Sequence, residues 1–139
     1  MSENTYLAEL LRERKLKATS TRLEVLSVIS DYNKAIPFSE IQTALHGFDR
    51  VTLYRTIQVL MESGIIHKAL KDDHETFFAM CSKNCTLANH SHKHIHFKCT
   101  LCEAVTCVQA VSSIGLSIPG HTVHNFEIEA TGICESCNC

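Results

Sequence analysis

Two cysteine pairs in the second half of the chain, CTLC at residues 99–102 and CESC at residues 134–137, place the strongest constraint on its fold. Each pair presents two thiolates from one tight turn, and two such turns can enclose a metal ion in a tetrahedron of four sulfurs, as structural zinc prefers. The pairs are separated by 31 residues, more than in a compact zinc ribbon, so spacing alone does not prove that they meet. A thioredoxin-like redox motif is disfavoured, because neither pair lies between a strand and a helix.

Histidines occupy every second position before the first pair, in the segment HSHKHIHFKC at residues 90–99. Side chains at positions i and i+2 of a β-strand lie on one face, so two of these imidazoles can bind one metal ion. His94 and His96 are the better candidates because they adjoin the cysteine pair, whereas the two earlier histidines also suit a solvated loop. His67 and Cys81, each unremarkable alone, can supply two further ligands from across a domain boundary.

Composition argues that the cysteines bind metal and do not form disulfides. The chain of 139 residues suffices for one domain or two small ones, and its hydrophobic content of 45% supports a packed core. No apolar run is long enough to cross a membrane, and the N-terminus lacks the apolar region of a secretory signal. We therefore expect a cytoplasmic protein with no membrane partner, in a compartment that keeps its eight cysteines reduced.

The charged and metal-binding residues are distributed unevenly along the chain. A net charge of −2 does not by itself indicate binding to nucleic acid. All cysteines nevertheless lie at or after residue 81, whereas basic residues cluster near the N-terminus. These early basic residues are Arg12, Arg14, Lys15, Lys17 and Arg22.

Four helices are predicted in the first half of the chain, the first, second and fourth from apolar residues at helical spacing and the third from the residues at its ends. Side-chain oxygens can cap the second, third and fourth helices, and glycines can end the last two. The residues expected at these ends are Thr19 or Ser20 for the second helix, Ser39 and Gly47 for the third, and Asp49 and Gly64 for the fourth.

A predicted hairpin follows the fourth helix, with IIHKAL and TFFAM as strands around the polar turn KDDHE. Helices followed by a hairpin are typical of a winged helix-turn-helix, and the fourth helix is then the candidate for the major groove of DNA. In the second half, HSHKHIHFKC, EAVTCVQAV and NFEIEATG predict three strands of a small sheet around the cysteines. We therefore expect an α+β fold, with a winged-helix DNA-binding domain at 1–80 and a metal-binding domain at 81–139.

Three segments, in this order, resemble the ferric uptake regulator (Fur) family: RVTLYRTIQVLMESGIIHKA, HIHFKCTLC and GICESC. The resemblance covers nearly the whole chain. That family consists of dimeric, metal-responsive repressors with an N-terminal winged helix and a C-terminal α/β dimerisation domain. The resemblance therefore implies a homodimer that binds double-stranded DNA, at an AT-rich palindromic operator upstream of metal-uptake genes.

The resemblance also implies roles for individual residues in both halves. The family's structural zinc site is matched by the two cysteine pairs, Cys99, Cys102, Cys134 and Cys137. On the fourth helix, Tyr54 and Arg55 match residues that touch DNA, and Thr52 lies on the same outward surface. Lys15 and Arg22 match basic positions beside the first two helices.

Within the family, the segment GIIHKA followed by a cysteine is similar to the zinc uptake regulator (Zur) branch. The resemblance then implies a regulatory zinc site at the junction of the two halves, formed by His67, Cys81, His94 and His96. Nitrogen and thiolate donors suit Zn²⁺ better than Mn²⁺, which prefers oxygen ligands. The iron and peroxide branches use a histidine just before the third helix, where this chain has KAIPFSE.

The identity of the sensing thiolate and of the signal stays open at this point. Cys85 and Cys107 are alternatives to Cys81, and an iron- or manganese-responsive or a thiol-based, peroxide-sensing repressor is the alternative function. A zinc hydrolase is disfavoured because no glutamate lies beside the histidines to act as a base, so we expect neither an enzyme nor a small-molecule substrate. The family's other C-terminal metal site is expected to be missing or rebuilt, since its positions hold poor ligands. Those positions are Lys93, Ile95, Ile114 and Phe126.

Overall fold

A computed structural model describes residues 3–71, 74–81, 94–109, 116–124 and 126–138. Four helices and two small sheets make up these residues, which confirms the expected α+β class. The helices are α1 (Glu3–Glu13), α2 (Ser20–Asp31), α3 (Phe38–Ala44) and α4 (Arg50–Glu62). The strands are β1 (Ile36–Pro37), β2 (Ile66–Lys71), β3 (Thr76–Met80), β4 (His94–Cys99), β5 (Val105–Gln109) and β6 (Glu129–Gly132). None of the helices in the described ranges is long and apolar enough to span a bilayer.

Helices α2 and α4 begin at the residues that the sequence predicts. The Thr19 hydroxyl accepts a hydrogen bond from the Arg22 amide at 3.3 Å, and the Asp49 carboxylate accepts one from the Thr52 amide at 2.9 Å. Each bond satisfies an amide that has no partner within its helix. Beyond α4, Gly64 adopts a φ of 79°, a left-handed conformation that glycine tolerates best and that turns the chain into β2.

The expected ends of α3 were wrong at both sides. Pro37, not Ser39, occupies the capping position, and its side chain offers no oxygen to the helix. The free amide of Ser39 instead donates to the Glu75 carboxylate at 2.9 Å, across 36 residues of sequence. The helix also ends at Ala44, before Gly47. A tertiary contact from the hairpin therefore replaces the local cap that the sequence suggested.

Two apolar clusters organise the molecule. The larger one lies among the helices and the inner face of the hairpin, and its fully buried members include Leu7, Leu26, Ile41 and Leu60. The smaller cluster joins the two halves of the chain, because Val105 of β5 is buried against residues of the first sheet and its flank. Its other members are Ala35, Ala69, Leu70 and Phe77.

A backbone hydrogen bond reinforces this junction. The Ala35 amide donates to the Val105 carbonyl at 2.9 Å, and the two residues form an isolated antiparallel bridge. Side chains two residues apart on a strand share a face, so Cys107 points toward the first sheet as Val105 does. The junction therefore determines which residues of the second sheet meet the hairpin.

The second sheet has the order β5-β4-β6, with β5 antiparallel and β6 parallel to β4. The last strand of this sheet is shorter than the sequence suggested. Of the segment NFEIEATG only the last four residues form a strand, so Phe126 and Ile128 precede β6. Strand β4 begins at His94, and His90 and His92 lie outside the described residues.

The core of the first half provides a test of this packing. Replacing Leu60 with alanine removes a fully buried side chain of α4, so we expect a loss of about 2–5 kcal/mol in the free energy of unfolding. Val51→Ala on the exposed face of the same helix should change that free energy by no more than about 0.5 kcal/mol. Urea unfolding followed by circular dichroism measures both values, and equal losses in the two variants would contradict the burial assigned to α4.

Candidate metal sites and nucleic-acid interface

The first candidate metal site consists of the four cysteines of the two Cys-x-x-Cys pairs. The sulfurs of Cys99, Cys102, Cys134 and Cys137 all lie within 4.8 Å of one another. Cys99 is buried at the end of β4, whereas Cys102 is exposed and the other two are half-buried. The Cys102 and Cys134 sulfurs are 3.7 Å apart. The pairs therefore meet, which the spacing in the sequence had left open.

Parallel pairing of β4 with β6 brings the two pairs together. Cys99 lies opposite Gly132 in this ladder, and the amide of the next residue, Thr100, donates to the Gly132 carbonyl at 2.7 Å. Because parallel strands end at the same edge of a sheet, the turn after β4 and the turn after β6 leave side by side. Gly132 also accommodates the Phe97 ring, which would lie 3.4 Å from an added Cβ atom.

Two of these thiols, Cys99 and Cys137, have pKa values shifted in opposite directions. The Cys99 sulfur accepts hydrogen bonds from the backbone amides of Cys102 and Cys134, both at 3.4 Å, and these bonds lower its pKa to about 6. Hydrogen bonds with the thiols of Cys134 and Cys102 raise the pKa of Cys137 to about 12. Cys99 is therefore a thiolate at neutral pH, while Cys137 keeps its proton until a metal ion displaces it.

The second candidate metal site, the junction cluster, consists of His67, His96 and Cys107, whose donor atoms also lie within 4.8 Å of one another. His67 comes from β2 of the hairpin, whereas His96 and Cys107 are directly opposite each other on β4 and β5. Both imidazoles are buried and stacked, with ring centroids 5.3 Å apart. Donor atoms from both halves of the chain thus converge at their junction.

The sequence favours Cys81 as the sensing thiolate and offers Cys107 as an alternative, and it is Cys107 that belongs to this cluster. Its sulfur lies 3.5 Å from Nε2 of His67. The residue as a whole is exposed, but neighbouring groups partly desolvate its sulfur and raise the pKa of this thiol, so the thiolate form needs a cation beside it. The sequence held one signal for this position: Cys107 alternates with Val105 in a predicted strand, and both therefore face the same way.

The expected regulatory set of His67, Cys81, His94 and His96 is only partly assembled in the described residues. Cys81 does lie beside His67, but its sulfur is 3.6 Å from Nδ1, the opposite nitrogen from the one that Cys107 meets. The backbone of His94 begins β4, and its side chain lies outside the described part of the chain, as does Cys85. The described residues form no further group of three or more metal-binding side chains beyond these two.

Most of the residues expected to contact DNA lie on the surface. Thr52, Tyr54 and Arg55 are exposed on α4, and the Tyr54 side chain retains 57% of its accessible surface. Tyr54 touches the Phe38 ring edge-on, with centroids 5.9 Å apart, but it is not part of the core. Lys15 is exposed after α1, while Arg22 is half-buried and donates to the Lys17 carbonyl. The first turns of α4 therefore present polar, aromatic and cationic groups together.

The positions of the family's other C-terminal metal site are apolar where the structure describes them. Ile95 on β4 and Phe126 before β6 are half-buried and offer no donor atom. Lys93 and Ile114 lie outside the described residues.

Comparisons with known proteins agree with this architecture. A family model described as the ferric uptake regulator family matches residues 13–135. A ferric uptake regulation protein of Staphylococcus aureus is 29% identical over 135 residues, which cover 93% of each chain.

Solved structures resemble the fold. A zinc uptake regulator complexed with zinc and DNA has a TM-score of 0.67 at 22% identity, over 99% of this chain and 96% of that one. The ferric uptake regulator of Vibrio cholerae has a TM-score of 0.62 at 18% identity, over 91% of this chain and 98% of that one. At these identities the likeness concerns the fold alone.

The lowered pKa of Cys99 predicts how the stability of the metal-free, reduced protein depends on pH. Between its folded pKa of about 6 and its ordinary value of 9.0, the unfolded chain binds a proton that the folded chain has lost. Stability should therefore rise from pH 6 to pH 9 and be lost as the pH falls through 6. The raised pKa of Cys137 acts above that window, where it makes stability fall as the pH rises from 9 toward 12.

Urea unfolding of chelator-treated protein at several pH values measures this dependence. Cys99→Ser should flatten the rise, whereas Cys107→Ser, which changes a thiol outside the four-cysteine site, should leave it unchanged. An equal slope in wild type and Cys99→Ser would show that another group is responsible.

Proposed function

Because the chain belongs to the ferric uptake regulator family, we propose that it is a zinc-sensing, DNA-binding repressor of metal-uptake genes. Members of this family are transcriptional regulators and not enzymes. In this proposal the protein acts in the cytoplasm as a homodimer, on an AT-rich palindromic operator in double-stranded DNA. The observation that carries the choice of metal is the convergence of nitrogen and sulfur donors from both halves of the chain.

The four-cysteine site is proposed to hold a structural zinc ion. Tetrahedral zinc with Zn–S bonds of about 2.3 Å has S···S edges of roughly 3.8 Å. The distance of 3.7 Å between the Cys102 and Cys134 sulfurs agrees with such an edge. Bound zinc would replace the protons of the remaining thiols and tie β4 to β6.

The junction cluster is proposed to be the sensing site. Its imidazole and thiolate donors favour Zn²⁺ over Mn²⁺, which prefers carboxylate, carbonyl and water oxygens. His67 lies in the hairpin that follows α4, while His96 and Cys107 lie in the second sheet. A bound ion would therefore restrict the orientation of the DNA-binding half relative to the second sheet.

This restriction can control DNA binding through the geometry of a two-fold dimer. The spacing between two recognition helices must match the spacing of the half-sites in the operator. A metal ion increases the affinity for DNA only to the extent that it binds more tightly to the arrangement whose helix spacing matches the operator than to other arrangements. By linkage, operator DNA must increase the affinity for the metal by the same factor.

The exposed face of α4 is proposed to read the operator. Arg55 can donate to a base edge or a phosphate, and Tyr54 can pack against a thymine methyl group, with Thr52 beside them. Lys15 and Arg22 would contact phosphates and make binding sensitive to salt. Such local contacts are needed because the net charge of −2 gives no overall attraction to DNA.

A thiol-based response to peroxide is the second candidate, and the exposure of Cys107 favours it. The raised pKa of that thiol opposes it, because the thiolate is the form that oxidants attack. The zinc proposal therefore comes first, and iron or manganese as the sensed metal is a further outcome that the DNA-binding experiment below distinguishes.

Metal analysis tests the structural site. Protein purified under reducing conditions should retain tightly held zinc after dialysis against a weak chelator. Cys134→Ser should lose that zinc and much of its stability, since one ligand of four is gone. Cys107→Ser is the matched control, because it removes a thiol of the junction cluster only. Retention of the tightly held zinc by Cys134→Ser would contradict the proposed four-sulfur site.

DNA binding at buffered metal concentrations tests the sensing function. We expect a labelled AT-rich palindromic duplex to bind at low free Zn²⁺, with no equivalent response to Fe²⁺ or Mn²⁺. His96→Ala should raise the zinc concentration that is needed for half-maximal DNA binding. Because His96 is a proposed ligand, this increase should exceed the roughly 10–100-fold loss of metal affinity that follows removal of a residue that only hydrogen-bonds a ligand. Thr106→Val, on the opposite face of β5 from Cys107, is the control and should behave as wild type.

Arg55→Ala separates reading of the operator from sensing. It should weaken DNA binding by about 1–3 kcal/mol at saturating zinc while leaving zinc binding by the free protein unchanged. Binding that ignores zinc, or that follows another metal, would overturn the proposed function.

A further inference from the structure

The two ring nitrogens of His67 face two different thiols. Nδ1 lies 3.6 Å from the Cys81 sulfur, and Nε2 lies 3.5 Å from the Cys107 sulfur. A histidine binds a metal ion through one nitrogen, and its other ring N–H donates a hydrogen bond to a nearby acceptor. In this ring orientation the two cysteines therefore cannot both share one metal ion with His67.

The positions of the remaining donors indicate which nitrogen binds the ion. His96 and Cys107 are direct partners across the β4–β5 ladder, and together with His67 they form a group within 4.8 Å. Cys81 is not a member of that group. With Zn–N of about 2.0–2.1 Å and Zn–S of about 2.3 Å, the N···S edge of a tetrahedral site is roughly 3.5 Å. The separations of His67 Nε2 from the Cys107 sulfur, 3.5 Å, and of Nδ1 from the Cys81 sulfur, 3.6 Å, both agree with that edge, so membership of the three-residue group is what favours Nε2.

Access to solvent also differs between the two thiols. Cys107 lines a cleft of about 680 Å³ between the helical half and the second sheet. Thr106 and Val108 of the same strand line it as well, whereas Cys81 does not. Cys107 is exposed whereas Cys81 is half-buried, so the Cys107 thiol is the more accessible of the two to a metal ion.

We propose that the junction site holds its metal through Nε2 of His67, His96 and the Cys107 thiolate, while Cys81 is a positioning residue that accepts a hydrogen bond from Nδ1–H of His67. The proposal rests on the proposed function and specifies which thiolate senses the metal. It departs from the ligand set that the family resemblance implies, in which Cys81 binds the ion. The role of Cys81 is then to hold the tautomer and orientation of the His67 ring.

Cobalt spectroscopy distinguishes the two roles. Protein that keeps zinc in its four-cysteine site is loaded with Co²⁺ at the junction site, where a thiolate ligand produces a charge-transfer band in the near ultraviolet. Wild type and Cys81→Ser should both show this band at full intensity. Cys107→Ser should lack it, and Cys107→Asp, which keeps a metal-binding side chain, should bind Co²⁺ with visible bands only.

Zinc competition measures the positioning role. Cys81→Ala should weaken zinc binding at the junction site by about 10–100-fold, because the ring loses its hydrogen-bond acceptor. Cys81→Ser should recover most of that loss, since its hydroxyl oxygen can accept the same N–H. If Cys81 only supported the local packing, Cys81→Ser would not recover zinc affinity while the cobalt band kept its intensity.

Two results would overturn the proposal. Loss of the band in Cys81→Ser with its retention in Cys107→Ser would make Cys81 the ligand, and half intensity in both would make both cysteines ligands. Either result leaves zinc-dependent DNA binding intact, so the proposed function would survive. Zinc-independent DNA binding by wild type would instead remove the proposed function, whatever the cobalt spectra show.

Discussion

The contact of β5 with the hairpin is the constraint on which the rest of the structure depends. Val105 is buried in the small apolar cluster, and its carbonyl accepts a hydrogen bond from the Ala35 amide, so the second sheet is held against the first. Because side chains alternate along a strand, fixing Val105 also directs Cys107 toward the hairpin, where His67 lies. The junction cluster therefore forms because apolar packing holds Val105, which lies two residues before Cys107 on the same face of β5.

The second sheet depends on a different interaction, the parallel pairing of β4 with β6. A three-stranded sheet of four to six residues per strand buries little apolar surface and is a weak structural unit by itself. The same pairing brings the four cysteines together at its edge. A metal ion held there would add stability where the core is smallest, so the metal site and the sheet support each other.

The two candidate metal sites suit different tasks because of where their donor residues originate. All four cysteines belong to the second sheet and its turns, so an ion bound there stabilises one unit. The junction cluster takes His67 from one half and its other donors from the second half, so an ion bound there reports on their relative orientation. A ligand changes an equilibrium only through its different affinity for two states, and a site whose donors come from both halves has such a difference if their relative orientation changes.

The sequence by itself determined the features that depend on neighbouring residues: the caps Thr19 and Asp49, the outward face of α4 and the paired thiolates of each turn. These follow from helical and strand periodicity and from the spacing of ligands within one turn. Only the tertiary structure decided that Glu75 binds the start of α3, and that Cys107 and Cys81 flank His67 on opposite sides. Those contacts join residues 14 to 40 positions apart, and their distances depend on how the sheets pack, which no local pattern encodes.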